Sequence, residues 1–74
     1  GYNVMLNNSS IGEITDINNY GATNVITVKS ETEEIVFPEI EGIFEKTDTV
    51  NKTIIINYKL FNETAIITQL KENS

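Results

Sequence analysis

The side chains of this chain that could do chemistry are carboxylates and carboxamides, because histidine and cysteine are both absent. Without histidine there is no histidine-based catalytic triad, no histidine base and no ligand of the commonest zinc-binding type. Without cysteine there is no thiol nucleophile, no disulfide and no thiolate-bound metal. We therefore expect a protein that is not an enzyme and that carries no metal and no cofactor.

The densest group of carboxylates is Glu31, Glu33 and Glu34. It lacks the alternating Asp or Asn residues and the central glycine of a calcium-binding loop, and we interpret it as the solvated tip of a hairpin. A glycosidase-like pair of carboxylates is not excluded by one sequence. A chain of 74 residues, however, offers little room for a walled active-site cleft. Gly12 and Gly21 do not form a phosphate-binding loop, because neither opens a predicted helix.

Four asparagines begin an Asn-X-Ser/Thr triplet, the acceptor pattern for N-glycosylation. They are Asn7, Asn8, Asn51 and Asn62. In a chain so rich in asparagine, serine and threonine, we attribute these triplets to chance. A secreted glycosylated module stays open as a hypothesis beside the two given below, and it would require a signal peptide in the full gene.

The composition describes one small domain with an acidic balance. Eleven Asp and Glu residues stand against 5 Lys and Arg, which gives a net charge of −6. Nucleic-acid affinity comes mainly from basic side chains that neutralise phosphates, so we expect no direct nucleic-acid binding by this domain. Acidity favours a basic protein partner, although solubility is its commonest explanation.

Neither end of the chain gives a targeting signal. No run approaches the roughly 18 apolar residues that a membrane-spanning helix requires, and the amino terminus does not read as a signal peptide. We therefore expect a cytoplasmic protein without a membrane partner. The chain begins at Gly1 rather than methionine, which we interpret as a piece of a longer protein.

Alternating apolar and polar residues, separated by turn residues, predict an all-β domain over residues 1–57. We expect a small antiparallel β-barrel of about six strands. The predicted strands are Tyr2–Leu6, Ile11–Asn18, Asn24–Lys29, Glu34–Phe37, Ile43–Thr47 and Thr53–Asn57. The core candidates are Val4, Ile14, Ile17, Ile26, Val28, Val36, Ile43, Ile54 and Ile56.

Residues 58–74 form a carboxy-terminal extension that the sequence leaves open. The apolar spacing from Tyr58 to Leu70 fits a helical stripe about as well as one more strand. From residue 71 onwards the chain is a polar tail, which we expect to be flexible.

Four short motifs in order carry a family resemblance. Ile11–Ile14 and Asn19–Val28 resemble the pattern L-G-x-V followed by G-A-x-D-V-L-x-V. Glu34–Pro38 is similar to the L-I-P strand, Gly42–Asp48 to V-x-x-V-D, and Lys52–Asn57 to the closing x-I-x-V-D. This order and spacing resemble the carboxy-terminal PRC-barrel domain of the RimM family of ribosome maturation factors. One departure is Asn24, where the family usually has Asp.

The resemblance implies a non-enzymatic assembly factor of the small ribosomal subunit. Such a factor binds the small-subunit precursor, supports the processing of its RNA, and contacts a basic ribosomal protein of the subunit head. An amino-terminal domain would precede Gly1, and we expect a monomer. The alternative is a different PRC-barrel protein, in which the barrel is a docking or structural part of a membrane-associated or electron-transfer assembly.

The contact candidates lie in the predicted loops or at the strand ends next to them, because loops on a rigid barrel commonly carry recognition. They are Tyr20, Asn24, Phe37, Pro38 and Glu39. Phe37 is equally consistent with a place in the core. Gly21 is interpreted first as a turn requirement.

Overall fold

The computed structural model describes residues 1–70. Within this range the chain forms seven strands and one helix. The elements are β1 (Asn3–Leu6), β2 (Ser9–Tyr20), β3 (Thr23–Lys29), β4 (Glu33–Pro38), β5 (Phe44–Asp48), β6 (Thr53–Ile56), α1 (Tyr58–Thr64) and β7 (Ile66–Gln69). The predicted polar tail, residues 71–74, lies outside the described residues.

All seven strands belong to one sheet, in the order β5-β6-β1-β2-β3-β4-β7. The predicted all-β class is therefore confirmed. The sheet is not closed into the predicted barrel, because it ends at two edges, β5 and β7. The pairing is also not purely antiparallel. β6 lies beside β1, on the side away from β2, and runs parallel to it.

The sheet curls strongly although it does not close. Phe37 on β4 and Phe44 on β5 pack edge to face with their ring centroids 6.4 Å apart and their planes at 90°. These two strands are sixth and first in the sheet order, so a flat sheet would hold them far apart. Phe61 of α1 also packs on the Phe37 ring, with centroids 5.7 Å apart.

The core formed inside this curl contains only apolar side chains. Its buried members are Val4, Ile26, Val28, Ile35, Phe37, Ile43, Ile54, Ile56 and Phe61. The core predictions for Val4, Ile26, Val28, Ile43, Ile54 and Ile56 are confirmed. Ile35, Phe37 and Phe61 complete the core in addition to the predicted residues.

Three predicted core residues lie elsewhere. Ile17 is 56% exposed, because it lies beyond Glu13, the last residue of β2 that pairs with β1. Val36 is half-buried on the outer face, since its neighbours Ile35 and Phe37 take the inward positions of β4. Ile14 is half-buried at the margin of the core.

The segment after β6 forms a short helix, α1, followed by a strand, β7. The sequence left helix and strand open as alternatives for this segment, and the structure contains both. Asn57 is the N-cap of α1: its side-chain oxygen accepts a hydrogen bond from the Leu60 N–H at 2.9 Å. Phe61 enters the core, and β7 then pairs antiparallel with β4. The segment after Asn57 thus contacts the rest of the sheet through Phe61 and through β7.

Gly12 lies where β2 passes from its pairing with β1 to its pairing with β3. Its φ is +137°, and a Cβ added there would lie 2.4 Å from the Lys29 carbonyl oxygen. The β1–β2 register shifts between Val4 and Met5, directly opposite this point. A glycine within the predicted strand Ile11–Asn18 indicates a bend in that strand. In the structure Gly12 is an irregularity that combines positive φ with close backbone approach.

The turn between β5 and β6 is closed by Asp48. Its Oδ1 accepts hydrogen bonds from the N–H groups of Val50 and Asn51 at 3.0 and 3.1 Å, and its Oδ2 accepts one from Asn51 Nδ2 at 2.8 Å. The hydrogen bonds from Asn51, backbone first and side chain second, lower the pKa of the Asp48 carboxyl below its ordinary value of 3.8. The sequence predicts a turn over Asp48–Lys52 between the last two predicted strands, and the structure confirms it.

The two glycines Gly12 and Gly21 form a matched pair for mutation to alanine. Both have positive φ, but no atom would lie within 4 Å of a Cβ at Gly21. We expect Gly21→Ala to cost about 1 kcal/mol through backbone strain alone. Gly12→Ala should cost about 2–4 kcal/mol, because steric overlap with Lys29 adds to the strain. Chemical denaturation measures both, and equal losses would contradict the close approach at Gly12.

The Asp48 turn predicts a specific pH dependence. Because the pKa of Asp48 is lowered in the folded state, its hydrogen bonds contribute stability above the unfolded pKa, and that contribution is lost as pH falls through the folded pKa. Carboxyl-carbon NMR should give a titration midpoint below 3.8. Asn51→Ala should raise the midpoint without restoring it fully, because the backbone donors stay in place. A wild-type midpoint at or above the ordinary value would refute this account.

Candidate protein-interaction surface

The β2–β3 hairpin presents Tyr20 at its tip. Tyr20 pairs with Thr23, and Gly21 and Ala22 form the two-residue turn between them. Gly21, with φ +75°, occupies the first central position, which is where a type II′ hairpin turn takes glycine. The Tyr20 side chain is 69% exposed. The turn requirement predicted for Gly21 is confirmed, and it orients an aromatic side chain into solvent.

A row of hydrogen bonds joins this hairpin to the segment after β4. Asn19 Nδ2 donates to Asn24 Oδ1 at 2.9 Å, and Asn24 Nδ2 donates to Glu39 Oε1 at 3.1 Å. The backbone N–H of Glu39 also donates to the Asn24 carbonyl oxygen at 2.8 Å. Asn24 is therefore a strand residue that positions Glu39, rather than an exposed loop contact.

The same row gives a physical reason for asparagine at position 24. Its amide acts as acceptor toward Asn19 and as donor toward Glu39. An ionised aspartate there would have no donor for Glu39 and would place a second negative charge beside it. Asparagine rather than aspartate at position 24 thus matches the carboxylate that follows β4 in this chain.

Pro38 lies on the outer face of the sheet, together with apolar side chains that the sequence did not predict as contacts. Paired residues on neighbouring strands share a face, and the pairs Val25–Pro38 and Val36–Ile66 both face away from the core. Tyr20 lies on this face as well, because Thr23, its partner, is two residues from Val25 on β3. We call this set the outer-face patch: Tyr20, Val25, Val36, Pro38 and Ile66.

Exposure within the outer-face patch is uneven. Tyr20 and Ile66 are exposed at 69% and 67%, whereas Val25, Val36 and Pro38 are half-buried. The alternation of Val25 with the inward-facing Ile26 and Val28 was visible in the sequence. Alternation does not show which strand lies beside each patch residue. For this reason the sequence did not identify Val25 and Ile66 as surface candidates.

Phe37 does not belong to this surface. It is 1% exposed, and its ring packs against Phe44 and Phe61 in the core. Its prediction as an exposed contact is corrected, because strand alternation turns it inward between the outward-facing Val36 and Pro38. Of the predicted contact residues, the structure brings Tyr20, Asn24, Pro38 and Glu39 to one end of the sheet.

Acidic groups border the patch. Glu39 is exposed after β4, Glu41 follows it, and Asp16 pairs with Thr27 on the outer side of β2. Among residues 1–70 the one ion pair joins Lys29 Nζ and Glu34 Oε2, 3.4 Å apart, with both side chains partly exposed. An apolar surface with an exposed tyrosine and bordering carboxylates is chemically suited to a partner with basic and apolar groups.

Residues 1–70 contain neither a membrane-spanning helix nor a cluster of metal-ligand side chains. No helix in this range has the length and apolar character needed to cross a membrane. Within the same residues, no three Asp or Glu side chains are grouped so that they could hold a metal ion.

The chain was also compared with models of known protein families, with curated proteins and with solved structures, and none of the three comparisons gave a match.

Proposed function

We propose that this domain is a non-enzymatic protein-binding part of a RimM-type ribosome maturation factor, acting in the cytoplasm on the small-subunit precursor. Its partner is a basic ribosomal protein of the subunit head. The observation that carries the proposal is the placement of Tyr20, Pro38 and Glu39 at one end of the sheet. The four ordered motifs between Ile11 and Asn57 support it from the side of the sequence.

The outer-face patch has the composition of a binding surface. Tyr20 is a rigid aromatic group with a polar hydroxyl, and such residues frequently act as energetic anchors in interfaces. The half-buried Val25 and Pro38 beside it supply an apolar base that is already fixed by strand pairing. Because strand pairing already orders most of this surface, binding a partner there loses little conformational entropy.

Glu39 supplies the electrostatic part of the recognition. The Asn19–Asn24–Glu39 hydrogen bonds hold its carboxylate at the Tyr20 end of the sheet, on the side of Ile26 rather than on the outer face. There it can meet a lysine or arginine of a partner that covers this end of the sheet. The net charge of −6 acts over a longer range and raises the encounter rate with a basic protein. Binding should therefore weaken as salt increases, through slower association.

The proposed role in RNA processing is indirect. The domain contributes a protein contact, and the precursor RNA is not contacted by this acidic surface. The amino-terminal domain of such a factor would supply a second attachment, and two linked contacts bind far more tightly than either alone.

The binding test is a titration with the purified basic protein of the small-subunit head. We expect Tyr20→Ala to raise Kd about tenfold or more, since it removes the exposed anchor, and Pro38→Ala to raise it by a smaller factor. Isothermal titration calorimetry and amide NMR measure the two effects. Tyr58→Ala is the matched control, because Tyr58 is a tyrosine of similar exposure, 51%, on α1 rather than on the patch.

The outcomes separate the site from the function. If wild type binds and Tyr20→Ala binds equally well, the outer-face patch is not the contact surface, although the partner is right. Suppose that about 1 mM partner shifts no amide resonance of this domain or of the full-length factor. Because this concentration is far above the dissociation constants of specific complexes, the proposed function is then wrong.

A further inference from the structure

The strand β7 forms one edge of the sheet and is exposed on both sides. Each of its residues, from Ile66 to Gln69, is exposed. Ile66 is 67% exposed on the outer face, and Ile67, which pairs with the inward-facing Ile35, is 51% exposed on the other face. An edge strand with exposed isoleucines on both faces offers apolar contacts to any strand added beside it.

The pairing register shows which backbone groups of β7 point outward. The Leu70 N–H donates to the Thr32 carbonyl oxygen at 2.8 Å, so residue 70 points toward β4. Antiparallel pairs alternate between hydrogen-bonded and non-hydrogen-bonded positions, so Thr68 and Ile66 also point toward β4. The N–H and C=O groups of Ile67 and Gln69 therefore point to the free edge, where no described residue pairs with them.

The opposite edge of the sheet is built differently. β5 carries Glu45, Lys46 and Asp48, and its register with β6 shifts between Phe44 and Lys46. Charges and irregular pairing are common means by which proteins prevent strand addition at an edge. β7 has neither a charged residue nor a register shift in its pairing with β4. The two edges are thus unequal, and only β7 has the features of an acceptor.

The charges next to β7 indicate which kind of strand it would accept. Glu33 and Glu34 lie opposite Gln69 and Thr68 on β4, and Glu31 is exposed at the adjoining hairpin tip. Lys29 pairs with Glu34, which leaves the local balance negative. A second copy of this chain would bring a second set of these carboxylates to the same edge, whereas a basic segment would offset them.

We propose that the free edge of β7 is a strand-acceptor site for an extended basic segment of a partner protein. The added strand exchanges hydrogen bonds with the N–H and C=O groups of Ile67 and Gln69. Its apolar side chains pack on Ile66 or Ile67, and its basic side chains lie near Glu33 and Glu34. This inference goes beyond the proposed function, because it uses a different surface from the Tyr20 end of the patch and requires no ribosomal partner.

Amide hydrogen exchange with a synthetic peptide tests the site directly. The probe is a short blocked peptide of alternating lysine and valine, and the control is the same peptide with glutamate in place of lysine. In the free protein we expect the amides of Ile67 and Gln69 to exchange fast and that of Thr68 to be protected. With the lysine peptide, Ile67 and Gln69 should slow by roughly tenfold or more, while the glutamate peptide should leave them unchanged.

A pair of variants at Gln69 separates strand addition from simple charge attraction. Gln69→Pro removes the outward N–H and leaves the inward bonds of Thr68 and Leu70, and proline is tolerated at such positions of an edge strand. Gln69→Ala keeps that N–H, while both variants lose the side-chain hydrogen bond to Glu33. We expect the proline variant to bind the lysine peptide roughly tenfold more weakly than the alanine variant.

Three results would overturn the proposal. Equal peptide affinity of the two Gln69 variants would mean that the edge backbone is not used. Equal protection by the glutamate peptide would remove the basic specificity. Concentration-dependent protection of Ile67 and Gln69 in the free protein would assign the edge to a second copy of this chain. Should Gln69→Pro fail to fold, the exchange pattern of the wild-type protein still decides between these results.

Discussion

The packing of Phe37 between Phe44 and Phe61 is the interaction on which the rest of this structure depends. A single sheet buries one face only if it curls over itself or is covered by another layer. Here both happen around one ring: Phe44 arrives from the first strand of the sheet and Phe61 from the helix. The curl brings strands that are not hydrogen-bonded into contact, and the core is the space that they enclose.

The same constraint explains why the sheet stays open. The helix α1 stands between β6 and β7 in the chain, and Phe61, Leu60 and Ala65 bury apolar surface that a closing strand pair would otherwise cover. β5 and β7 therefore remain as edges. Closure of a barrel removes the free edges of a sheet. In an open, curled sheet each edge strand has to be protected separately against the addition of another strand. In this chain the charged residues of β5 provide such protection and β7 lacks it.

The surfaces with recognition chemistry follow from this arrangement. Inward-facing residues of β3 and β4 form the core, so every second residue of these strands is presented on the outer face, with fixed spacing and little freedom. The Tyr20 end of the patch and the β7 edge lie on the same outer side but differ in what they offer. The first offers side chains, and the second offers backbone hydrogen bonds. Both are bordered by carboxylates, which is consistent with basic partners for each.

Several features of the fold were predictable because they depend on neighbours in the sequence. Alternation predicted the strands and placed Ile26, Val28, Ile54 and Ile56 in the core. Turn chemistry located the turns at Gly21 and at Asp48, where one side chain and the next few backbone groups decide the geometry. The acidic balance is likewise a property of composition.

The tertiary structure decided what depends on residues far apart in the chain. Phe37 could not be assigned to core or surface from its own segment, because its burial depends on packing against Phe44 and Phe61, which are distant in the sequence. Ile17 alternates like a core residue and yet is exposed, because β1 ends before it reaches that part of β2. Asn24 became a positioning residue only when Glu39 was brought beside it. Alternation gives each strand two faces, but only the pairing of distant strands determines which face is covered, where the cover ends and which edge is left free.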